Sequence, residues 1–390
     1  MTQDIRDFVT PSCDLLALGE PTHQEPAFGS VRNELFVQLV DLGFRSIALE
    51  TDRVAALAVN DFVQGEAGTL DTAMSEGFSH GFGELHANRR LVAWMRAYNE
   101  GRPAQERLAF HGFDAPMETT SAPSPRRYLE HARAYLDFDL DPGLDLDLAN
   151  LLGDDERWSR TEAVMDPARS VGATAGAERL RSIADDMLTS LHARAPKLIA
   201  ATSHAEWLRA RTHLTAGLGL LRYHRQSARP LDDQSARISG LAATRDALMA
   251  QNLLDVRGIE ALRGPTLVFA HNLHLRRQLS TIRMADLDLD WFGAGAIVAS
   301  LLGERYGFVA GSLGRSEALG LQEPEPHTYE GCLQRRTAGA WSLTAATAIA
   351  PADTRTDTTP RQGYFPLDRE TLDTADAVLH IGVGAATGSP

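Results

Sequence analysis

The chain has little cysteine, fewer basic than acidic side chains, and no long apolar run. Its two cysteines, Cys13 and Cys332, form no CxxC pair and no Cys/His ribbon spacing, so neither a disulfide framework nor a thiolate zinc site is predicted. This cysteine usage fits a reducing compartment, and we expect a cytoplasmic protein. No stretch approaches the roughly 18 apolar residues that a membrane span needs. The opening "MTQDIRDFVTPSCD" has no apolar core, so no export signal is expected.

The charge balance and the length indicate the class of protein. The chain has 38 Lys and Arg against 52 Asp and Glu, which gives a formal net charge of -14. This surplus of negative charge disfavours nonspecific attraction to phosphate backbones and anionic lipid surfaces. We therefore expect a small-molecule partner, with no nucleic acid and no membrane, while no motif indicates the oligomeric state. The 390 residues are 43% apolar, which is ample for a globular core.

Short apolar runs alternate with amphipathic stretches near the N-terminus. "DLLALGE" predicts a strand over Leu15–Leu18, "VRNELFVQLVDLGF" predicts a helix over 31–44, and "RSIALE" predicts a second strand ending at Glu50. Apolar residues recur every three or four positions in the helix, and Gly43 is typical of a C-terminal stop. This is a β-α-β unit, which builds parallel sheets whose functional groups gather at the carboxyl ends of the strands.

The strand pattern returns later in the chain. A third strand is predicted over Arg107–Phe110 and a fourth over Thr266–Phe269, while "YGFVAGSLG" and "DAVLHIGV" predict two more. Between the third and fourth strands, Ala, Leu, Arg and Asp dominate at helical spacing. The acidic stretch around Pro142 and Gly143 favours a loop between short helices.

These patterns predict an α/β fold with a mostly parallel central sheet built from both ends of the chain. Helices flank the sheet, and a helical subdomain is inserted between the two halves. The expected division is 1–122 for the N-terminal part of the α/β core, 123–260 for the helical section walling a cleft, and 261–390 for the C-terminal part of the core.

Polar side chains follow four of the predicted strands. If these strands lie side by side, their ends converge on one rim, the usual place for an active site in an open α/β sheet. A single histidine at a strand end is more often a hydrogen-bonded structural residue, but four such ends together favour a functional site. The candidates are Glu20, His23, Glu50, Asp52, His111, Asp114, His271, Asn272 and His274.

Three chemistries could use these residues. In general-base hydrolysis, a neutral histidine takes a proton from water while a carboxylate holds its other ring nitrogen. In a metal site, imidazole and carboxylate ligands suit zinc or manganese, and His271 and His274 are spaced to approach one ion, although no HExxH helix supports it. Nucleophilic catalysis is disfavoured, because no G-x-S-x-G elbow occurs and Cys13 precedes the first strand. Rossmann and P-loop fingerprints are also missing.

The segment "LGEPTHQEPAFGSVRNELFVQLVDLGFRSIALE" resembles the opening of the erythromycin esterase family, in which Gly-Glu-x-Thr-His is followed by an Arg, a helix and a strand ending in Glu. "LVAWMRAYN", "FHGFD", "RDALMAQN", "AHNLH" and the tail "YFPLDRETLDTADAVLHI" also resemble family segments, so the likeness spans nearly the whole chain. The matching positions of the opening motif are Gly19, Glu20, Thr22, His23, Arg32 and Glu50.

The resemblance implies a cofactor-free, metal-independent esterase without a serine nucleophile. His23 would activate water for attack on an ester or macrolactone carbonyl of a bulky, polyketide-like substrate, in macrolide resistance or natural-product biosynthesis. Glu20 and Glu50 would orient the base and stabilise its charge. Arg32 would hold the carboxylates or the developing oxyanion, and His271 would be a second acid/base or water-positioning group. Candidates for substrate contacts are His111, Asp114, Asn272 and His274.

Two departures from the family pattern fall just past the motif histidine. The family commonly has Gly directly after it and Glu-Phe at the fourth and fifth positions beyond it; here these positions hold Gln24, Ala27 and Phe28. Glu25 is a candidate for the missing carboxylate from a shifted position. The departures leave two further hypotheses open: a biosynthetic tailoring enzyme that uses His23 for elimination, cyclisation or acyl transfer, and a metal-dependent hydrolase with His and Glu ligands.

Overall fold

The computed structural model describes residues 3–118, 120–137, 148–284 and 286–385, which contain nine strands and sixteen α-helices. The strands are β1 Leu15–Glu20, β2 Ser46–Asp52, β3 Ala109–Asp114, β4 Thr266–His271, β5 Leu279–Met284, β6 Leu287–Phe292, β7 Tyr306–Arg315, β8 Trp341–Ala345 and β9 Ala377–Val383. The helices are α1 Pro26–Asp41, α2 Ala56–Gln64, α3 Leu70–Glu76, α4 His86–Asn99, α5 Arg126–Asp137, α6 Leu148–Leu152, α7 Glu156–Ser159, α8 Thr161–Met165, α9 Ala175–Ala193, α10 Ala195–Ala201, α11 His204–Ser227, α12 Gln234–Glu260, α13 Asn272–Leu275, α14 Ala294–Leu302, α15 Tyr329–Gln334 and α16 Arg369–Leu372.

Seven of these strands form one sheet in the order β3-β2-β4-β1-β7-β9-β8. Neighbouring strands are parallel except β8, which is antiparallel to β9. Strands from the first third of the chain therefore pair with strands from the last third, as β1 does with both β4 and β7. This confirms the predicted fold class, a mostly parallel α/β sheet built from both ends of the chain and flanked by helices.

The central strands are buried on both faces, as their continuous apolar runs predict. All six residues of β1 are buried. Leu16 and Leu18 belong to the core on one face, with Phe28 of α1, and Leu15 and Ala17 belong to the core on the other face, with side chains of α12 and α14. Burying one leucine side chain contributes about 1.5–3 kcal/mol. Because both faces are covered, polar groups can be reached from solvent only at the ends of the strands.

Several strand ends differ from the prediction. β1 continues to Glu20, β2 to Asp52 and β4 to His271, each two residues further than predicted. Glu20 and His271 are register partners. β3 ends at Asp114, four residues later than predicted, and Gly112 lies within the strand. A Cβ atom at Gly112 would lie 2.6 Å from the carbonyl oxygen of Thr51, so glycine permits the close approach of β2. Several candidate site residues therefore belong to the strands themselves.

Helices α5 to α12 lie between β3 and β4 in the chain and have a core of their own. Side chains of α5, α9 and α11, such as Leu129 and Leu214, form this core, while Met249 of α12 packs against the sheet. The predicted loop around Pro142 and Gly143 lies outside the described residues, and the three-part division of the chain stays a prediction. No helix in the described ranges is long and apolar enough to cross a membrane.

The antiparallel hairpin of β5 and β6 and the edge strand β8 are not among the predicted strands. In β6, Leu289 and Trp291 are buried, whereas Asp288 and Asp290 are exposed. This alternation is typical of a strand with one buried face. The buried face of the hairpin packs against α12, so the hairpin forms a wall beside the carboxyl ends of the parallel strands.

Candidate active site

The carboxyl ends of β1, β2 and β4 bring four predicted residues together. Glu20 ends β1, His23 lies in the turn that follows, Glu50 lies near the end of β2, and His271 ends β4. Glu20, Glu50 and His271 are buried, whereas the side chain of His23 is 35% exposed. One imidazole therefore faces the cleft in front of two buried carboxylates.

His23 is held between these two carboxylates. Its Nδ1 lies 2.8 Å from Oε1 of Glu20, and its Nε2 lies 3.7 Å from Oε1 of Glu50. Burial by itself lowers the pKa of His23, but the negative charges of Glu50 and Glu20 outweigh burial and raise the pKa to about 9. Burial raises the pKa of the Glu20 carboxyl, and its hydrogen bond to the ring opposes this. The pair of Glu20 and His23 therefore holds a proton firmly at neutral pH.

Glu50 is the centre of a larger cluster of charges. Its Oε1 lies 3.4 Å from Nε2 of His274 and 3.6 Å from an Nη atom of Arg245, and its Oε2 accepts the backbone N–H of His271 at 2.9 Å. Burial alone would raise the pKa of this carboxyl, yet the charges of His274, His23 and Arg245 lower it to about 2. Glu50 is therefore an anion at neutral pH and stabilises positive charge on its neighbours.

His271 has one ring nitrogen that accepts a hydrogen bond and one that can donate. Its Nδ1 accepts the backbone N–H of Leu273 at 3.2 Å, which places the proton of the neutral ring on Nε2. Burial, assisted by the charge of His23, lowers the pKa of His271 to about 3, while the charge of Glu50 and the carbonyl of Pro21 act in the opposite direction. Nε2 is buried and meets no acceptor in hydrogen-bond geometry among the described residues. This tautomer suits a donor to substrate oxygen better than it suits a base.

Arg245 and His80 complete the cluster, and neither is among the predicted site residues. Arg245, on α12, forms two hydrogen bonds with the buried carboxylate of Asp114. His80 lies between two carboxylates, with Nε2 2.9 Å from Oδ2 of Asp114 and Nδ1 2.7 Å from Oε2 of Glu118. His80 has a φ of 57°, a left-handed conformation that is uncommon for residues other than glycine. Asp114, predicted for substrate contact, thus anchors the arginine that faces Glu50.

Asp246, also on α12, fixes the orientation of His274. Nδ1 of His274 lies 2.8 and 3.0 Å from the two carboxylate oxygens. The indole N–H of Trp291 and the backbone N–H of Ala294 donate to the same carboxylate at 2.8 and 2.7 Å. Burial lowers the pKa of His274, but Asp246 and Glu50 outweigh it and raise the pKa. His274, predicted for substrate contact, therefore belongs to the charged cluster.

Arg32 lies on α1 and acts on Glu20 through space. Its Nε and one Nη atom donate to Oδ1 of Asn33 at 3.1 and 2.7 Å, and its guanidinium carbon lies 4.8 Å from the ring centre of Phe269. The side chain is buried. Burial lowers the pKa of Arg32 to about 10, and the charge of Glu20 opposes this. Arg32 therefore adds positive charge behind the carboxylate that holds His23.

Two predicted substrate-contact residues have structural partners instead of a place in the cleft. Nε2 of His111, which stands three residues before the end of β3, lies 2.8 Å from Oε1 of Glu260 at the far end of α12. The amide of Asn272 exchanges two hydrogen bonds of 2.9 Å with the backbone of Gly311. A Cβ atom at Gly19 would lie 2.1 Å from Oδ1 of Asn272, so the glycine of the opening motif makes room for this amide.

Glu25, the candidate for the missing carboxylate, is buried and engaged at the start of α1. One oxygen accepts the backbone N–H groups of Ala27 and Ala385 at 3.2 and 2.7 Å, and the other accepts the hydroxyl of Ser316 at 2.7 Å. Among the described residues, no three His, Cys, Asp or Glu side chains are placed to hold one metal ion.

Two cavities meet at His23. The larger, of about 500 Å³, lies between α12, the β5–β6 hairpin and the end of β4, and is lined by His271, His274 and Arg245. The smaller, of about 210 Å³, lies between α1 and the start of α4 and is lined by Glu20, Glu50 and Arg32. Within the described ranges, His23 is the one residue that lines both cavities. An imidazole braced by a carboxylate, a neutral donor beside it and room for a substrate on each side are typical of acid–base catalysis.

The chain is similar to known proteins over most of its length. A family model described as erythromycin esterase matches residues 40–388. Among curated proteins, none matches the sequence.

Three solved structures share the fold. A crystal structure of a Bacillus cereus protein has a TM-score of 0.71 at 16% identity, covering 97% of this chain and 90% of that chain. The erythromycin esterase EreC, a histidine-to-asparagine mutant in its open conformation, has a TM-score of 0.66 at 19% identity, with 96% and 92% covered. A succinoglycan biosynthesis protein has a TM-score of 0.62 at 16% identity, with 96% and 88% covered.

Proposed function

Because the chain belongs to the erythromycin esterase family, we propose that it is a cofactor-free hydrolase of an ester or lactone in which His23 is the general base. The observation that carries this proposal is the position of one ring: its Nδ1 is held 2.8 Å from Glu20, its Nε2 faces Glu50, and it lines both cavities. A positioned base contributes roughly 10²- to 10⁴-fold to the rate.

In this mechanism His23 must lose its proton before it can act. Its pKa of about 9 means that the neutral ring becomes more abundant as the pH rises towards that value. The neutral ring then takes the proton of a water molecule at Nε2. A water placed about 2.8 Å from both Nε2 and Oε1 of Glu50 fits the 3.7 Å between these atoms. Glu50 stabilises the imidazolium that forms, while Glu20 keeps the ring in place.

His271 supplies the electrophilic part of the mechanism. As the hydroxide attacks the carbonyl carbon, negative charge develops on the carbonyl oxygen, and the Nε2–H of His271 donates to it. The bond between the carbonyl carbon and the alcohol oxygen then breaks, and the imidazolium of His23 returns its proton to the departing alkoxide, so that the acid and the alcohol are released. The ring centres of His23 and His271 are 5.3 Å apart, which leaves the reacting carbonyl within reach of both. Removing one such donor typically costs about 10²- to 10³-fold in rate.

The walls of the larger cavity support a bulky, apolar substrate of the polyketide kind. Leu241, Leu289 and Trp291 line it from α12 and the hairpin. These side chains can bury apolar substrate surface at about 25 cal/mol per Å². Resistance to a macrolide and a step in natural-product biosynthesis are both compatible with such a substrate.

The test is turnover of esters and macrolactones by wild type, His23→Ala and the control His327→Ala, whose imidazole is exposed at the surface. We expect His23→Ala to lose at least about 10²-fold in kcat/KM, the control to keep full activity, and exhaustive chelation to have no effect. Full activity in His23→Ala would refute the proposed base.

Oxygen-18 from water should enter the acid product; unlabelled product would instead favour elimination, cyclisation or acyl transfer.

A further inference from the structure

The two cavities on either side of His23 indicate how a substrate is divided. We propose that the substrate has a bulky apolar half that binds in the larger cavity and a short half that binds in the smaller one. This inference rests on the proposed function, because it places the reacting carbonyl at His23.

The ring of His23 lines both cavities. Its centre lies 5.2 Å from that of Phe82, which lines the smaller cavity, and 5.3 Å from that of His271, which lines the larger one. A carbonyl attacked beside this ring can therefore extend one substituent into each cavity.

The cavity volumes set the lengths of the two halves. With about 30 Å³ for a group the size of water, 210 Å³ holds about seven non-hydrogen groups and 500 Å³ about seventeen. The larger cavity has mostly aliphatic and aromatic walls and includes Met284, which is 48% exposed at its margin. The smaller cavity combines apolar Leu85 and Ala87 with polar Ser30 and Arg32, so it also accepts a short polar group.

Two alanines allow each cavity to be filled separately. Ala27 on α1 lines the smaller cavity and Ala242 on α12 lines the larger one, and both are only partly buried, so a larger side chain at each position reduces the space in its cavity. Ala27→Leu leaves room for about four groups in the smaller cavity, and Ala242→Trp leaves room for about eight in the larger one. Ala97→Leu, at an exposed position of α4, is the control.

The experiment measures binding of two isomeric ketones, which resemble esters but are not hydrolysed, by calorimetry. Because each displaced methylene costs about fourfold in affinity, Ala27→Leu should weaken pentyl hexyl ketone about fourfold and leave methyl decyl ketone within about twofold. Ala242→Trp should show the opposite preference, and Ala97→Leu should change neither. If Ala27→Leu leaves both ketones unchanged, or if both cavity variants weaken the two ketones equally, the two-cavity arrangement is wrong.

Turnover supplies a second arm. We expect kcat/KM for an ester with one long and one short half to exceed that for an isomeric ester with two long halves by at least about tenfold; a better substrate with two long halves would overturn the inference. Failure of the proposed function looks different. In that case no ester is hydrolysed, or His23→Ala retains activity, whereas the ketone affinities still report on the two cavities.

Discussion

Replacing Glu50 by Gln tests the electrostatic account of the site most directly, because it removes one charge and keeps the shape. At 3.7 Å and an effective dielectric constant of about 20, the attraction between Glu50 and protonated His23 is about 4.5 kcal/mol. With about 1.4 kcal/mol for each factor of ten, this corresponds to about 10³-fold in proton affinity. The His23 side chain is 35% exposed, so solvent screening reduces the expected loss to about 10- to 100-fold.

We therefore expect Glu50→Gln to titrate His23 about one to two pH units lower than wild type. The pH dependence of kcat/KM should move in the same direction, because the neutral base then becomes available at lower pH. Proton NMR of the histidine rings measures the titration even if turnover is lost. Glu130→Gln, a surface ion-pair partner of Arg126, is the control. A His23 titration that is unchanged in Glu50→Gln would refute the assignment of Glu50 as the main charge acting on the base.

Three further predictions concern activity and stability. His271→Ala should lower kcat about 10²- to 10³-fold with little change in KM or in the pH profile, because it removes a neutral donor; a moved pH profile would argue that His271 is a base. The raised pKa of His23 adds stability that is complete below its ordinary pKa near 6.5 and disappears as the pH rises through about 9. Urea unfolding from pH 6 to 10 should show a loss of about 1–2 kcal/mol that His23→Gln lacks. Gly19→Ala should cost about 1–3 kcal/mol, because its Cβ atom would overlap Oδ1 of Asn272, whereas Gly258→Ala, with open space in α12, should raise the melting temperature; equal effects would refute the packing argument.

The fold was predictable because parallel strands that are buried on both faces leave continuous apolar runs. Ends of strands were less predictable. Gly112 is of a residue type that is common in turns, but it lies inside β3. Glycine is needed there because the backbone of Thr51, in the neighbouring strand, lies too close for a Cβ atom. β6 was missed although Leu289 and Trp291 alternate with aspartates, because short alternating runs are also common in loops.

The candidate site was predictable only in part, for a related reason. Residues at strand ends, such as His23 and Glu50, could be found because the topology of a parallel sheet brings its carboxyl ends to one edge. Arg245 and Asp246 come from a helix more than 100 residues after β3, and the chain does not reveal which face of α12 meets the sheet. A charged pair within the segment "RDALMAQN" was the available signal. His80 lies in the Gly-rich segment "EGFSHGFGELHAN", but neither its left-handed conformation nor its two carboxylate partners can be predicted from that segment.

The departures from the family pattern acquire a meaning once the cavities are known. Gln24 lines the larger cavity and Ala27 lines the smaller one, so the two changed positions lie on opposite sides of His23. Substitutions there alter the space on each side of the base without touching Glu20 or Glu50. Ala27 in place of the family's Glu removes a side chain that would otherwise project towards the smaller cavity, and this favours a short substrate group there.

Ala27→Glu should therefore act like Ala27→Leu, weakening ligands with two medium-length halves and sparing those with one short half, as calorimetry with the same two ketones will show. If Ala27→Glu binds each ketone as tightly as the wild type does, this departure from the family pattern does not determine substrate choice.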